Sequence, residues 1–190
     1  LAAAQNAVAA LPDKAQLLDA QGRAQAANGE FDQAQASFNR MAALQPQSSL
    51  PFLRMASANL IAGDRDAASQ NLRKALEIEP KSLEAQQGQV SLAMAAQKPG
   101  DALAISRAVQ KQRPKEQVGY MLEGEIHAAG KAWDKAADAF RAGLKQVASP
   151  ELAVRLHDVL LSAAKKPEAD RWAAEWLRTQ PKDAVFPFYL

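Results

Sequence analysis

Glu123 and His127 are spaced for joint chemistry: four residues apart, they would share one face of a helix. A carboxylate and an imidazole so placed can ligate a metal ion, but a metal site needs three or four ligands. The chain has two histidines and no cysteine, and no further histidine or cysteine stands close to this pair in the sequence. A metal-dependent enzyme using Glu123 and His127 is therefore an alternative reading, against a structural role for His127 in a position that otherwise holds an apolar core residue. Without cysteine, disulfide and thiolate chemistry are excluded. His157 falls where small residues otherwise recur, at Gly22, Ala56 and Gly124, and is expected to be wedged between helices. Trp133, Trp172 and Trp176 could stack a ligand. Trp133 and Trp176 fall in positions expected to be core or seam, and Trp172 is expected to be exposed. No glycine-rich phosphate loop, nucleophile elbow or zinc-spaced set occurs. No catalytic residue, cofactor or metal ligand is assigned.

The elements that position these residues are set by proline. Pro12, Pro46, Pro80 and Pro114 follow one another at intervals of 34 residues. Ahead of each later proline the same types recur: Gly29-Glu30-Phe31 with Ala34 and Phe38, then Gly63-Asp64 with Ala68 and Leu72, then Gly100-Asp101-Ala102. A fourth unit has Trp133, Ala136 and Phe140, and a fifth runs through Pro167 and Ala169 to Pro181 after a two-residue slip at Pro150. Proline ends a helix because it lacks an N–H and clashes with the preceding turn. The Gly-polar pairs suit a tight turn between two helices. The alanines at 34, 68, 102, 136 and 169 let two helices cross closely.

A 34-residue helix–turn–helix period is the pattern of tetratricopeptide (TPR) repeats. The chain is thus expected to be all-α, a right-handed α-solenoid forming one array. Residues 1–12 would be the second helix of a cut repeat. Complete repeats would span 14–46, 48–80, 82–114, 116–148 and 150–181, and 183–190 would begin a further one. Both ends look cut from a longer array, since neither resembles the polar caps that solenoids need. The chain begins at Leu1 without methionine, so a processed or engineered start is expected.

Net charge is +2, with 23 basic and 21 acidic residues interspersed. That balance lacks the basic footprint of nucleic-acid binding, so no nucleic acid is expected as partner. No apolar run is long enough to span a membrane.

Resemblance to TPR proteins implies that the first helices line a concave groove and that a protein or peptide partner binds there. Transferring the groove positions gives Arg23, Leu53, Arg54, Leu60, Gln87, Met94, Met121, Leu122, Glu125 and Arg155 as candidate partner contacts. Leucine and methionine would supply apolar contact, and Arg23, Arg54 and Arg155 would meet carboxylates on the partner. The apolar groups could equally pack against a neighbouring array. The lysine and asparagine clamp of chaperone-tail TPR domains is missing, because the matching positions hold Asp19, Arg23, Arg54, Ser57, Gln87 and Gly88. A carbohydrate-binding solenoid is a further alternative.

Within the repeats, Gln110-Lys111-Gln112-Arg113-Pro114-Lys115-Glu116 and Val118-Gly119-Tyr120-Met121-Leu122-Glu123-Gly124-Glu125-Ile126-His127 resemble the TPR-repeat lipoprotein of bacterial PEP-CTERM/exosortase systems. Arg141-Ala142-Gly143-Leu144-Lys145-Gln146, Leu152-Ala153-Val154-Arg155-Leu156-His157 and Pro181-Lys182-Asp183-Ala184 are similar to it too. The resemblance implies a non-enzymatic scaffold on the periplasmic side of the bacterial envelope, lipid-anchored in full length, in exopolysaccharide production or protein sorting. The anchoring cysteine of that family does not occur in this chain.

Overall fold

Among residues 14–190, which the computed structural model describes, the chain forms eleven α-helices and no strand. The expected helix in residues 1–12 lies outside the described residues. The first helices of successive repeats are α1 (Ala15–Ala27), α3 (Leu50–Ala62), α5 (Leu83–Ala95), α7 (Val118–Ala129) and α9 (Pro150–Ser162). The second helices are α2 (Phe31–Leu44), α4 (Arg65–Ile78), α6 (Pro99–Gln112), α8 (Trp133–Leu144) and α10 (Lys166–Thr179). A short α11 (Phe186–Tyr189) follows. Pro51, Pro99, Pro150, Pro167 and Pro187 all sit in first turns, where the missing N–H has no intrahelical partner to lose.

The turn between the two helices of each repeat is built the same way five times. The residue two past the turn's entry donates its N–H five residues back: Glu30 to Gln25, Asp64 to Asn59, Lys98 to Ala93, Ala132 to His127 and Lys165 to Leu160, all at 2.8–2.9 Å. This 6→1 bond closes the first helix and requires a left-handed residue just before the donor. Gly29 and Gly63 supply it with φ of 79° and 84°. The next three repeats use Gln97, Lys131 and Ala164, with φ of 57°, 55° and 58°. This corrects the expectation for Gly100-Asp101, which lie inside the first turn of α6. A β-carbon in this conformation costs about 1–2 kcal/mol, and glycine's extra chain entropy takes back about 0.5–1 kcal/mol. Lys131→Gly is therefore expected to raise stability by about 0.5–1 kcal/mol, read as a higher urea midpoint. Gly29→Ala should do the opposite.

The five alanines at 34, 68, 102, 136 and 169 are all fully buried. The positions of the other small residues are matched in size to their partners. Gly22 lies against the ring of Phe38, and Gly124 against the ring of Phe140, so closely that a β-carbon on either would enter the ring. Gly88 faces Leu72, where an added β-carbon would stand 2.8 Å from Cδ1.

The chain divides into two compact units at Leu92/Ala93, within α5. In the first unit α1 packs on α2 and α3, α2 on α3, and α3 on α4. One core gathers Leu18, Phe38, Met41 and Met55, and a second gathers Leu53, Ala56, Leu72, Ala75 and Ala85. In the second unit α7 packs on α6 and α8, and α9 packs on α8, α10 and α11. Its main core holds Phe140, Leu152, Leu156, Val159 and Leu160. A smaller one joins Ala153, Ala173, Trp176 and Phe186. Trp172 is half-buried against both of these cores, with its indole N–H directed at the carbonyl of Ala153 at 3.5 Å, which corrects the expectation that it is exposed. The large ring finds cover because α10 turns this side towards α9.

Candidate interaction surface

The expected groove residues are placed on the first helices of each unit. In the first unit Asp19 on α1 accepts from Arg54 Nε on α3 at 2.7 Å, and Arg23 reaches the same carboxylate at 3.9 Å. These residues meet because α1 and α3 pack side by side and Arg54 lies one repeat and one residue beyond Asp19. The Arg54 guanidinium is thus paired within its own chain. Arg23 remains mostly exposed. Leu53 is corrected as an exposed apolar contact. It is 7% exposed and packs with Ala56, Leu72, Ala75 and Ala85. Leu60, by contrast, is 43% exposed, beside the still more exposed Ile61. Gln87 is exposed on α5.

In the second unit Met94 closes α5 half-buried, and Leu122 is likewise half-buried on α7. Met121 packs on the core around Phe140 and is no free contact. Glu125 and Arg155 come together from α7 and α9 at 3.4 Å, so Arg155 too is engaged by its own chain. Between them opens a cavity of about 430 Å³. Its floor is apolar, from Ala128, Trp133, Phe140 and Val159, and Glu125, Arg155 and Asp158 stand around it. The hydroxyl of Tyr189 donates to Asp158 Oδ1 at 2.5 Å. Burial, and then the hydrogen bond to Asp158, push the Tyr189 phenol up to about 12.

His157 is buried next to this site, with Phe186 and Tyr189 edge-on to its ring at centroid distances of 5.9 and 5.6 Å. It is wedged between helices as expected. The sequence reading missed Asp158 and Tyr189 as a pair because 31 residues separate them. It missed likewise the buried bond from Ser37 Oγ to Gln25 Oε1 at 2.7 Å, and the cap of α9, where Ser149 accepts from Leu152 N–H and donates to Gln117.

Glu123 and His127 do share a helix face and line a second cavity of about 440 Å³ with Arg107, Lys135 and Asp138. Both carboxylate oxygens of Glu123 are occupied, one by Arg107 at 3.1 Å and the other by Gln110 at 2.6 Å. Burial holds the His127 imidazole below its ordinary value despite the pull of Glu123, and Lys135 and Arg107 add to the lowering. Among the described residues no three His, Cys, Asp or Glu side chains gather as a metal site, and no helix is long and apolar enough to cross a membrane.

The helix pairs, their left-handed turns and their buried alanines define an all-α solenoid of TPR repeats. No family model and no curated protein matches the sequence. Solved structures similar to it include MamA from Desulfovibrio magneticus RS-1, at 16% identity and TM-score 0.63, covering 90% of this chain and 97% of that one. TTC0263, a TPR protein of Thermus thermophilus, is similar at 22% identity and TM-score 0.58, covering 93% of this chain and 97% of that one. YrrB, described as a TPR protein with an unusual peptide-binding site, is similar at 13% identity and TM-score 0.58, covering 98% and 96%. These likenesses are of fold.

Proposed function

We propose that this chain is a non-enzymatic scaffold, a single TPR array whose first-helix face binds a protein or peptide partner. The observation that carries the reading is the cavity of about 430 Å³ between α7, α8 and α9, lined by Trp133 and by the half-exposed Glu125 and Arg155. Leu60 and Ile61 add exposed apolar surface on α3. Large side chains left exposed on a first-helix face are the material of a partner site. The peptide-binding site attributed to YrrB supports the same use of this fold.

The finer reading is a bacterial envelope scaffold, lipid-anchored in full length, that serves exopolysaccharide production or PEP-CTERM protein sorting. Its support is the resemblance of residues 110–127 and the shorter stretches that follow.

A random decapeptide array tests the surface. The wild type is expected to select a subset of peptides. Leu60→Asp on α3 and Leu122→Asp on α7 should each lose part of that subset, and Arg73→Glu on the exposed side of α4 should lose none. Loss by Arg73→Glu with full retention by both first-helix variants would move the binding surface to the second helices.

A further inference from the structure

The cavity between α7, α8 and α9 has a composition that restricts what fits it. The half-buried Trp133 ring forms part of its floor, over the buried Phe140. Three ionised groups stand at its rim: Glu125, Arg155 and Asp158. Arg155 can neutralise one carboxylate, and it is set against Glu125 at 3.4 Å with both side chains about half exposed, a loose pair. Asp158 receives only the neutral hydroxyl of Tyr189, and among the described residues no cation stands within ion-pair distance of it. The rim therefore has one negative charge more than its own cation balances.

We propose that this cavity takes the side chain of a lysine or arginine from an extended partner peptide. The inference rests on the reading of the first-helix face as the partner surface and names what that face selects. The aliphatic stem of such a residue would lie on Trp133, leaving its charged head at the rim, as long cationic side chains do on apolar surfaces. The head would pair with Asp158 and compete with Arg155 for Glu125. An aromatic ring under a cation adds attraction from its electron-rich face. An acidic residue would find one guanidinium, Arg155, already set against Glu125, and two carboxylates, and an aliphatic one would leave Asp158 without a counter-charge. Charge and shape thus agree on one occupant, and the site lies wholly within the second unit.

The test uses three capped heptapeptides with central lysine, norleucine or glutamate in an otherwise identical alanine and leucine sequence. They are titrated into isotopically labelled protein by NMR, with the Trp133 indole resonance as reporter. The lysine peptide should bind roughly 10-fold or more tightly than the norleucine peptide, the scale of one charge-assisted contact. The glutamate peptide should bind more weakly still. Asp158→Asn and Glu125→Gln should each bring the lysine peptide close to the norleucine value, and added salt should do the same. Arg155→Ala, which removes the competing cation, should tighten the lysine peptide. Two carboxylate variants guard against one of them loosening Tyr189. Equal binding of the three peptides, or lysine binding indifferent to both carboxylate variants, would overturn the charge selection while leaving the first-helix surface standing. If no peptide shifts any first-helix resonance in either unit, the surface reading itself falls and the inference with it.

Discussion

Phe140→Ala is expected to cost about 3–5 kcal/mol, the scale for emptying a large aromatic site in a core. Phe140 is 1% exposed and packs with Ala136, Leu152, Leu156 and Leu160. Its ring also fills the space that Gly124 leaves on α7. The two residues form one steric unit, and that makes the prediction sharper than a cavity argument. Gly124→Ala gains about 1 kcal/mol of helix propensity. It also drives a β-carbon into the ring, and overpacking of this kind costs about 1–3 kcal/mol. The clash should win, so Gly124→Ala alone is destabilising. Combined with Phe140→Leu, which withdraws the ring edge, it should cost clearly less than the two single changes added together. Urea unfolding followed by circular dichroism measures all four species of the cycle. Strict additivity would show that the contact between them is not what sets their sizes.

Trp176→Ala should be comparably severe, at about 3–5 kcal/mol, and should act on α11 as well. Trp176 is buried against Ala153, Ala173 and Phe186. Its indole N–H donates to Asp183 Oδ2 at 2.6 Å, and the other oxygen of Asp183 accepts from Val185 and Phe186 N–H at 2.7 and 3.2 Å. Burial alone would raise the Asp183 carboxyl, but these three hydrogen bonds hold it below the usual range. Removing Trp176 takes away both the platform under Phe186 and the tether of the capping carboxylate. Trp176→Phe keeps most of the packing and loses the hydrogen bond, and should cost only about 1–2 kcal/mol. Tyrosine absorbance separates the effects. In the wild type Tyr189 ionises near 12, because burial and Asp158 oppose the phenolate. Its folded-state value lies above the ordinary value of about 10. Its contribution to stability is therefore complete below about pH 10 and is lost as pH rises through about 12. In Trp176→Ala, with α11 released, Tyr189 should ionise close to the ordinary value. An unchanged high value would mean that α11 stays docked without Trp176.

The repeat was legible in the sequence because its determinants are local. Proline ends a helix by its own geometry, alanine marks a crossing by its size, and both recur at one period. Those rules act within a few residues, so the helix pairs and the turns between them follow the 34-residue period. The left-handed turn was only half legible. Glycine announced it at Gly29 and Gly63, but at Gln97, Lys131 and Ala164 the 6→1 bond imposes the conformation on residues that do not prefer it.

What the sequence could not decide is where long side chains go once two helices meet. Leu53 and Leu60 share helix α3 and were both assigned to a partner surface, yet one is sealed under Leu72 and Ala85 and the other is exposed. Arg54 and Arg155, expected to meet a partner's carboxylates, pair with Asp19 and Glu125 of their own chain, which the sequence did not announce. The two ion pairs join residues about a repeat apart, so they exist only after packing has fixed the distance between neighbouring first helices. The unneutralised charge of Asp158 has the same origin. It follows from which cation reaches Glu125 and which hydroxyl reaches Asp158, and that competition is settled by tertiary geometry.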